Sequence, residues 1–341
     1  MVEYDKLIGP DGQPQYGRFP APIGEINYRD FNYTTPMDHK AGILARHFHY
    51  KQFQFVGITG KRYIIGCAIV SLKYVSNAFV YLFDRDSKTV MQKSLLQPLS
   101  LNCSMSAQPD AGIHRFQKGN ATFTFTAHAK PRQRHINITV GTELNLALTL
   151  TEPPEFQPLA LCTRTGFSGW TYTQKACALD VTGHLHWKDL DLDINSRDFL
   201  GSYDWSCGYM RRQTAWNWAS LSGILADGTR IGANLANGVN ETGFNENGIW
   251  LGGTLHPLGP VNFHFSRHDR DRPWNVTSSD GRLELTFVPE GERREKLDFM
   301  LLASNFTQLT GSFQGHFTTA DGERIELAGI PGFCEDHYAK W

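Results

Sequence analysis

The chain reads as an all-β protein of tandem antiparallel barrels, and three observations predict this. Apolar and polar residues alternate with period two in several segments. Aspartate–glycine and asparagine–glycine pairs punctuate those segments, as tight hairpins require. No stretch carries an amphipathic helix of three turns, although one or two short helices are allowed. At 341 residues the chain exceeds the usual size of one hydrophobic core, so two units are expected.

The elements follow in order. Phe53 to Ile58 and Ala78 to Phe83 are continuous, bulky apolar runs, which suit strands covered on both faces. Phe123, Phe125 and Ala127 alternate with threonines, and Leu144, Leu146, Leu148 and Leu150 alternate with Asn145, Ala147 and Thr149. The segment TEPPEFQP then packs three prolines into eight residues. Proline cannot join a central ladder, so a boundary is expected there, giving units 1–157 and 158–341. Further on, Val261/Phe263/Phe265 and Leu283/Leu285/Phe287 repeat the alternation. Hairpin turns are expected at Asp227-Gly228, Asn237-Gly238, Asn247-Gly248, Asp280-Gly281 and Asp321-Gly322.

Composition narrows the function. Thirty-three basic and thirty-four acidic residues leave a net charge of -1, with no basic face for nucleic acid. The basic cluster from Lys130 to His135 reads as a solvated loop. The N-terminus shows no charged leader or apolar core, so no secretory signal is expected and a cytoplasmic location is. The longest apolar stretch, around Tyr63 to Val70, is too short for a transmembrane segment. Six cysteines without a CxxC pair fit reduced thiols. No glycine loop for phosphates, dinucleotide fingerprint or serine elbow is present, so no cofactor is expected. His47/His49 and His184/His186 lack a third ligand at diagnostic spacing, and the run Asp189–Asn195 fails as a calcium loop at Ile194 and Leu200. No metal site is expected.

The most informative stretch lies between Gly166 and Leu258, which holds six of the eight tryptophans mixed with charge. Each tryptophan brings ~200 Å² of surface and an N–H that needs a partner. Aromatic faces beside a carboxyl and a guanidinium suit either a pocket for a large apolar ligand or a structural knot. Alternation puts Arg212, Thr214, Trp216, Trp218 and Ser220 on one face of a strand, where they line a cavity or staple the barrels together.

The order YTQKACALDVTGHL, then FLGSYDWSCGYMRRQTAWNWASLSGILADGTRIG, then the ending GERIELAGIPGFCEDHYAKW carries a resemblance. It resembles the lipocalin-like (calycin-type) two-barrel superfamily that includes carotenoid 1,2-hydratases and AttH-type proteins. Within it, the wording is most similar to the bacterial family known as domain of unknown function 2804. The likeness covers about Gly166–Gly232 and the last twenty residues. It implies tandem barrels and an apolar ligand cavity, and it carries no activity by itself.

Hydratases of that kind add water to an isolated alkene, which needs a strong proton donor and a shielded cation. Asp204 is the leading candidate acid. Raising its pKa from ~3.9 to ~7 means destabilising the charged form by about 4 kcal/mol. The alternative is an ion pair of Asp204 with Arg211 or Arg212, which removes it as an acid. Glu241 is the second candidate catalytic carboxyl; with Glu246 it could act as acid and base, or both could sit in a hairpin loop. Tyr172, Tyr203 and Trp205, with Arg212, Trp216, Trp218 and Trp250, are the candidate ligand contacts. Cys334 and His337 suggest a nucleophile and base, against a closing role in which Phe333, Tyr338 and Trp341 plug the barrel. Two functions remain open. One is a cofactor-independent enzyme performing acid-initiated hydration, isomerisation or cyclisation of an isoprenoid or lipid-like molecule. The other is a carrier that only binds such a hydrophobic ligand.

Overall fold

The computed structural model describes residues 5–239, 243–299 and 302–341. It is nearly all-β: two large antiparallel sheets, each curled into a half-barrel, with one short α-helix, Ile43–Phe48. The first sheet runs, edge to edge, from Thr89–Pro98 through Val75–Asp84, Tyr63–Ser71, Tyr50–Gly60, Phe199–Tyr209 and Gly169–Trp187, and on from Leu144–Thr151 to Cys103–Ser104. The second runs from Thr254–Pro257 through Gly248–Leu251, Arg230–Asn237, Gln213–Ile224, Arg324–Lys340, Leu302–Thr318 and Leu283–Phe299 to Val261–His264.

The chain therefore changes sheet at 210–212. The proline-rich segment, expected as the boundary, instead connects Leu144–Thr151 to Leu159–Thr165 within the first sheet. Prolines end a strand there, but the next strand rejoins the same ladder through Gly169–Trp187.

The continuous apolar runs have the two-sided burial expected of them. Val56, Ile58, Ile65, Ile69, Val80 and Leu82 face the first sheet's own core, which also holds Trp187 and Trp205. The intervening Phe55, Ile64, Ala68, Phe79, Tyr81 and Phe83 face outward, where they meet Trp218 and Phe333 of the second sheet. The outer face of one half-barrel is thus the seam between the two. Gly57 allows the close approach, since a Cβ there would lie 2.8 Å from the Phe333 ring. Thr59 Oγ1 donates to Ser222 O (2.7 Å), and Arg85 pairs with Glu290 (2.6 Å), two polar contacts that fasten the seam.

The turn chemistry behaves as expected at Gly228, Gly281 and Gly322, each with positive φ between two paired strands. Gly238 has positive φ but no tight hairpin, since the next strand among the described residues begins at Gly248. Asn247-Gly248 differs: Asn247 is buried, and its Oδ1 accepts the Ala236 N–H at 2.6 Å. Its side chain replaces a strand partner there rather than opening a hairpin. The basic cluster is not a solvated loop either. Arg132 and Arg134 stand in the strand Arg132–Val140, and Arg134 is buried against Asp110 at 2.6 Å. All six cysteines are free thiols. Among the described residues no helix is long and apolar enough to cross a membrane.

Candidate functional site

A cavity of about 300 Å³ lies at the seam. Its walls are Phe53, Phe55, Val70 and Phe79 from the first sheet, facing Trp216, Trp218, Leu297 and Phe306 from the second. Period-two geometry delivers these side chains: Thr214, Trp216 and Trp218 share one strand face and all line the cavity, as their spacing implies. The two tryptophans also bind the half-barrels together, since Trp218 meets Phe55 edge-on with ring centroids 5.6 Å apart.

One polar pole sits in the first sheet. Asp204 and Lys175 are direct partners across neighbouring strands, and Lys175 Nζ lies 2.5 Å from Asp204 Oδ2. The same ammonium lies 3.0 Å from Glu246 Oε2. Ser206 Oγ donates to Asp204 Oδ1 at 2.9 Å and lies 2.6 Å from Thr173 Oγ1. All five groups are buried, and Lys175, Asp204, Ser206 and Glu246 line the cavity. Burial works against the Lys175 charge, but the two carboxylates outweigh it and hold its pKa above the ordinary lysine value. Glu246 is shifted upward as well. Burial raises its pKa, the nearby Asp204 charge adds to this, and Lys175 only partly offsets them.

Glu246 is held by its backbone. Trp218 Nε1 donates to Asn234 Oδ1 (2.8 Å), and Asn234 Nδ2 donates to the Glu246 carbonyl (2.7 Å). From the other side, Arg18 Nη2 bonds both Asn245 O (3.0 Å) and Asn245 Oδ1 (2.8 Å). A cavity-wall indole therefore shares a hydrogen-bond chain with the loop that presents the carboxyl.

The facing pole comes from the second sheet. Alternation along Arg324–Lys340 sends Phe333, Glu335, His337, Ala339 and Trp341 to the seam. Cys334 points the opposite way into that sheet's own core, which separates it from His337 and removes the cysteine–histidine pairing. Trp216 Nε1 and Gln308 Nε2 donate to Glu335 at 2.8 and 3.1 Å. His337 Nδ1 lies 3.5 Å from Glu335 Oε1, and its Nε2 lies 3.0 Å from Ser304 Oγ. Trp216 covers the imidazole, with ring centroids 4.1 Å apart. Arg293, buried and paired with Glu295 at 3.0 Å, lies against the ring of Phe79 at 4.2 Å.

The other expected contacts lie elsewhere. Tyr172, Tyr203 and Trp205 alternate away from Asp204's face into the first sheet's core. There Trp205 Nε1 donates to His114 Nε2 (3.1 Å) and Tyr203 Oη to Glu152 Oε1 (2.9 Å), while Tyr172 Oη donates to Gln174 Oε1 (3.2 Å). Trp250 is buried against Phe156 and donates to Gln157 O at 2.8 Å. Arg212 precedes the strand and meets the chain end through Trp341 O at 3.2 Å, so its contact is with the backbone of a residue that lines the cavity. Neither it nor Arg211 is the partner of Asp204. Glu241 lies outside the described residues. Lys175 and Glu335 carry no mark in the sequence as members of this site. The available signal was period two, which puts Thr171, Thr173 and Lys175 on one strand face.

Solved structures share the architecture. An AttH-type protein from Nitrosomonas europaea superposes with a TM-score of 0.52 at 14% identity, covering 85% of this chain and 92% of that one. CghA superposes with a TM-score of 0.60 at 11% identity, covering 99% and 97%. Kievitone hydratase from Nectria haematococca gives a TM-score of 0.47 at 11% identity, covering 95% and 98%. At these identities the likeness shows the fold alone, and it rests on the first two. No curated protein matches the sequence. The family model described as "Domain of unknown function (DUF2804)" matches residues 2–341, so the chain belongs to that family.

Proposed function

We propose that the seam cavity binds an apolar, isoprenoid or lipid-like molecule and that Glu246 protonates it, starting a hydration, isomerisation or cyclisation without a redox cofactor. The observation that carries this reading is the sharing of one buried ammonium by two buried carboxyls at the edge of an apolar cavity. Asp204 takes the shorter contact with Lys175 and accepts from a serine hydroxyl, so both of its oxygens are engaged. Burial raises the pKa of Glu246, so in this reading it takes the place of Asp204 as the acid.

In this reading the Glu246 O–H bond breaks and its proton joins one carbon of the alkene. The faces of Trp216 and Trp218 stabilise the resulting cation by ~1–2 kcal/mol each. Water attacks the cationic carbon, and its proton passes through Ser304 Oγ to His337 Nε2 and then, by way of solvent, back to Glu246, which restores both acid and base. Isomerisation uses the same base on a neighbouring C–H bond. The opposite walls thus supply acid and base.

The test compares the wild type with Glu246→Gln and Asp204→Asn. Native mass spectrometry reads retained hydrophobic ligand, and chromatography with mass detection follows turnover of a cellular lipid extract. Retained binding with turnover lost in Glu246→Gln supports the enzyme. A second reading, a non-catalytic carrier, is favoured by the engagement of both Asp204 oxygens within a closed network. Ligand retention without turnover by any of the three proteins selects it.

A further inference from the structure

The cavity has an unusual rim. Leu96 and Phe299 both line it and are also 38% and 60% exposed, so it opens to the surface between them. Leu72, Val75 and Leu302 complete the lining at this end. Next to Leu96 the chain turns, and Leu99 N donates to Tyr74 O at 2.7 Å, which fastens the turn to the Leu72–Val75 hairpin. Leu99 and Leu101, on that turn, are 62% and 54% exposed. Leu99, Ser100 and Asn102 all adopt left-handed backbone, with φ of 53°, 47° and 53°. Non-glycine residues adopt this conformation at a cost, and here it presents two leucines to solvent beside an apolar opening.

The charge around the rim is biased. Lys118 Nζ donates to Leu96 O at 2.7 Å, which places an exposed cation directly at the opening. Arg115, paired in register with Ser104, and Lys296, on the strand carrying Leu297 and Phe299, are exposed as well. The acids around Lys296 on that strand are Asp298, which is exposed, and Glu295, which is already paired with Arg293 at 3.0 Å. The chain as a whole is balanced at a net charge of -1, so the cationic excess here is local.

We propose that this rim docks on an anionic lipid bilayer, with Leu99, Leu101 and Phe299 entering the headgroup–acyl boundary so that an apolar ligand passes between membrane and cavity without crossing water. The inference rests on the apolar-ligand reading of the cavity. Apolar side chains raised on turns and ringed by cations suit an interface that is greasy inside and anionic at its surface. A protein partner would be met better by a flat, contiguous patch.

Co-sedimentation with vesicles tests it, using pure phosphatidylcholine against an equimolar mixture with phosphatidylglycerol. The wild type and Glu246→Gln both sediment with the anionic vesicles. Leu99→Ser/Leu101→Ser/Phe299→Ser lowers the partition coefficient about a hundredfold, with an unchanged melting temperature. Lys118→Glu/Lys296→Glu, which leaves the leucines in place, lowers it about tenfold, and so does high salt. The proposal is overturned by a wild type that stays in the supernatant, by a triple-serine variant that binds as well as the wild type, or by a dimer in sedimentation velocity that the triple-serine variant dissolves. A ligand-filled cavity in native mass spectrometry with no vesicle binding ends the docking alone. An empty cavity ends the reading beneath it and the docking with it.

Discussion

Lys175 and Asp204 face each other across adjacent strands, with Nζ 2.5 Å from Oδ2, deep in the seam between two half-barrels. The same ammonium lies 3.0 Å from Glu246, whose pKa burial raises, so two buried carboxyls divide one counter-ion. The chemistry proposed for the cavity follows from that division.

Replacing Lys175 with methionine leaves two buried carboxyls without a counter-ion. The expected loss is roughly 3–5 kcal/mol at neutral pH, read by urea denaturation. Adding Asp204→Asn to that variant restores part of it, because one uncompensated charge is removed. A single Lys175→Met variant as stable as the wild type would contradict the buried ion pair.

Asn234 links the Trp218 indole to the Glu246 carbonyl. Asn234→Ala leaves an N–H and a C=O without these partners, an expected cost of about 1–3 kcal/mol in the same assay. Turnover falls with it, because the carboxyl loses its backbone anchor. Unaltered stability would show that the chain of bonds is not formed.

His337→Gln keeps the side chain's polarity but removes the base. Turnover of the lipid extract is expected to fall by ~10²–10⁴ while ligand retention in native mass spectrometry is unchanged. Loss of retention at equal stability would instead make His337 a binding contact.

The buried network of the first half-barrel sets a pH dependence. Burial pushes Glu152 up to about 7 from 4.5, with the Asp110 charge adding to it. The unfolded carboxyl ionises near 4.5 while the folded one keeps its proton, so the folded state binds more protons between these values. The contribution is fully present below about 4.5 and is lost as pH rises towards 7, a change on the order of 3 kcal/mol. Glu152→Gln is expected to flatten this part of the stability-against-pH curve. A wild-type curve that rises across the same window would refute the assignment.

Much of the fold was legible because period two is a strong signal. The leucines from Leu144 to Leu150 and the paired burial of Phe53 to Ile58 both stand as the alternation requires. The sheet boundary was less legible, because prolines mark the end of a strand but not the ladder the chain rejoins. Spacing put Trp216 and Trp218 on one strand face and left wall or staple open, whereas Tyr203 and Trp205 were grouped with Asp204 by sequence adjacency. A strand sends neighbours to opposite faces, so adjacency misled there. The remaining partners, Lys175, Glu246, Glu335 and His337, meet only through long-range pairing. No local pattern encodes a salt bridge between residues 175 and 246.

The protonation of Glu246 is the most direct point of attack. Carbon-13 labelling of glutamate, with the Glu246 carboxyl resonance assigned by its loss in Glu246→Gln, follows that group through a pH titration in the intact protein. The account predicts a midpoint above the ordinary glutamate value, with the carboxyl still carrying its proton where exposed glutamates have lost theirs. A midpoint at or below the ordinary value, with both carboxylates charged around Lys175, would contradict it.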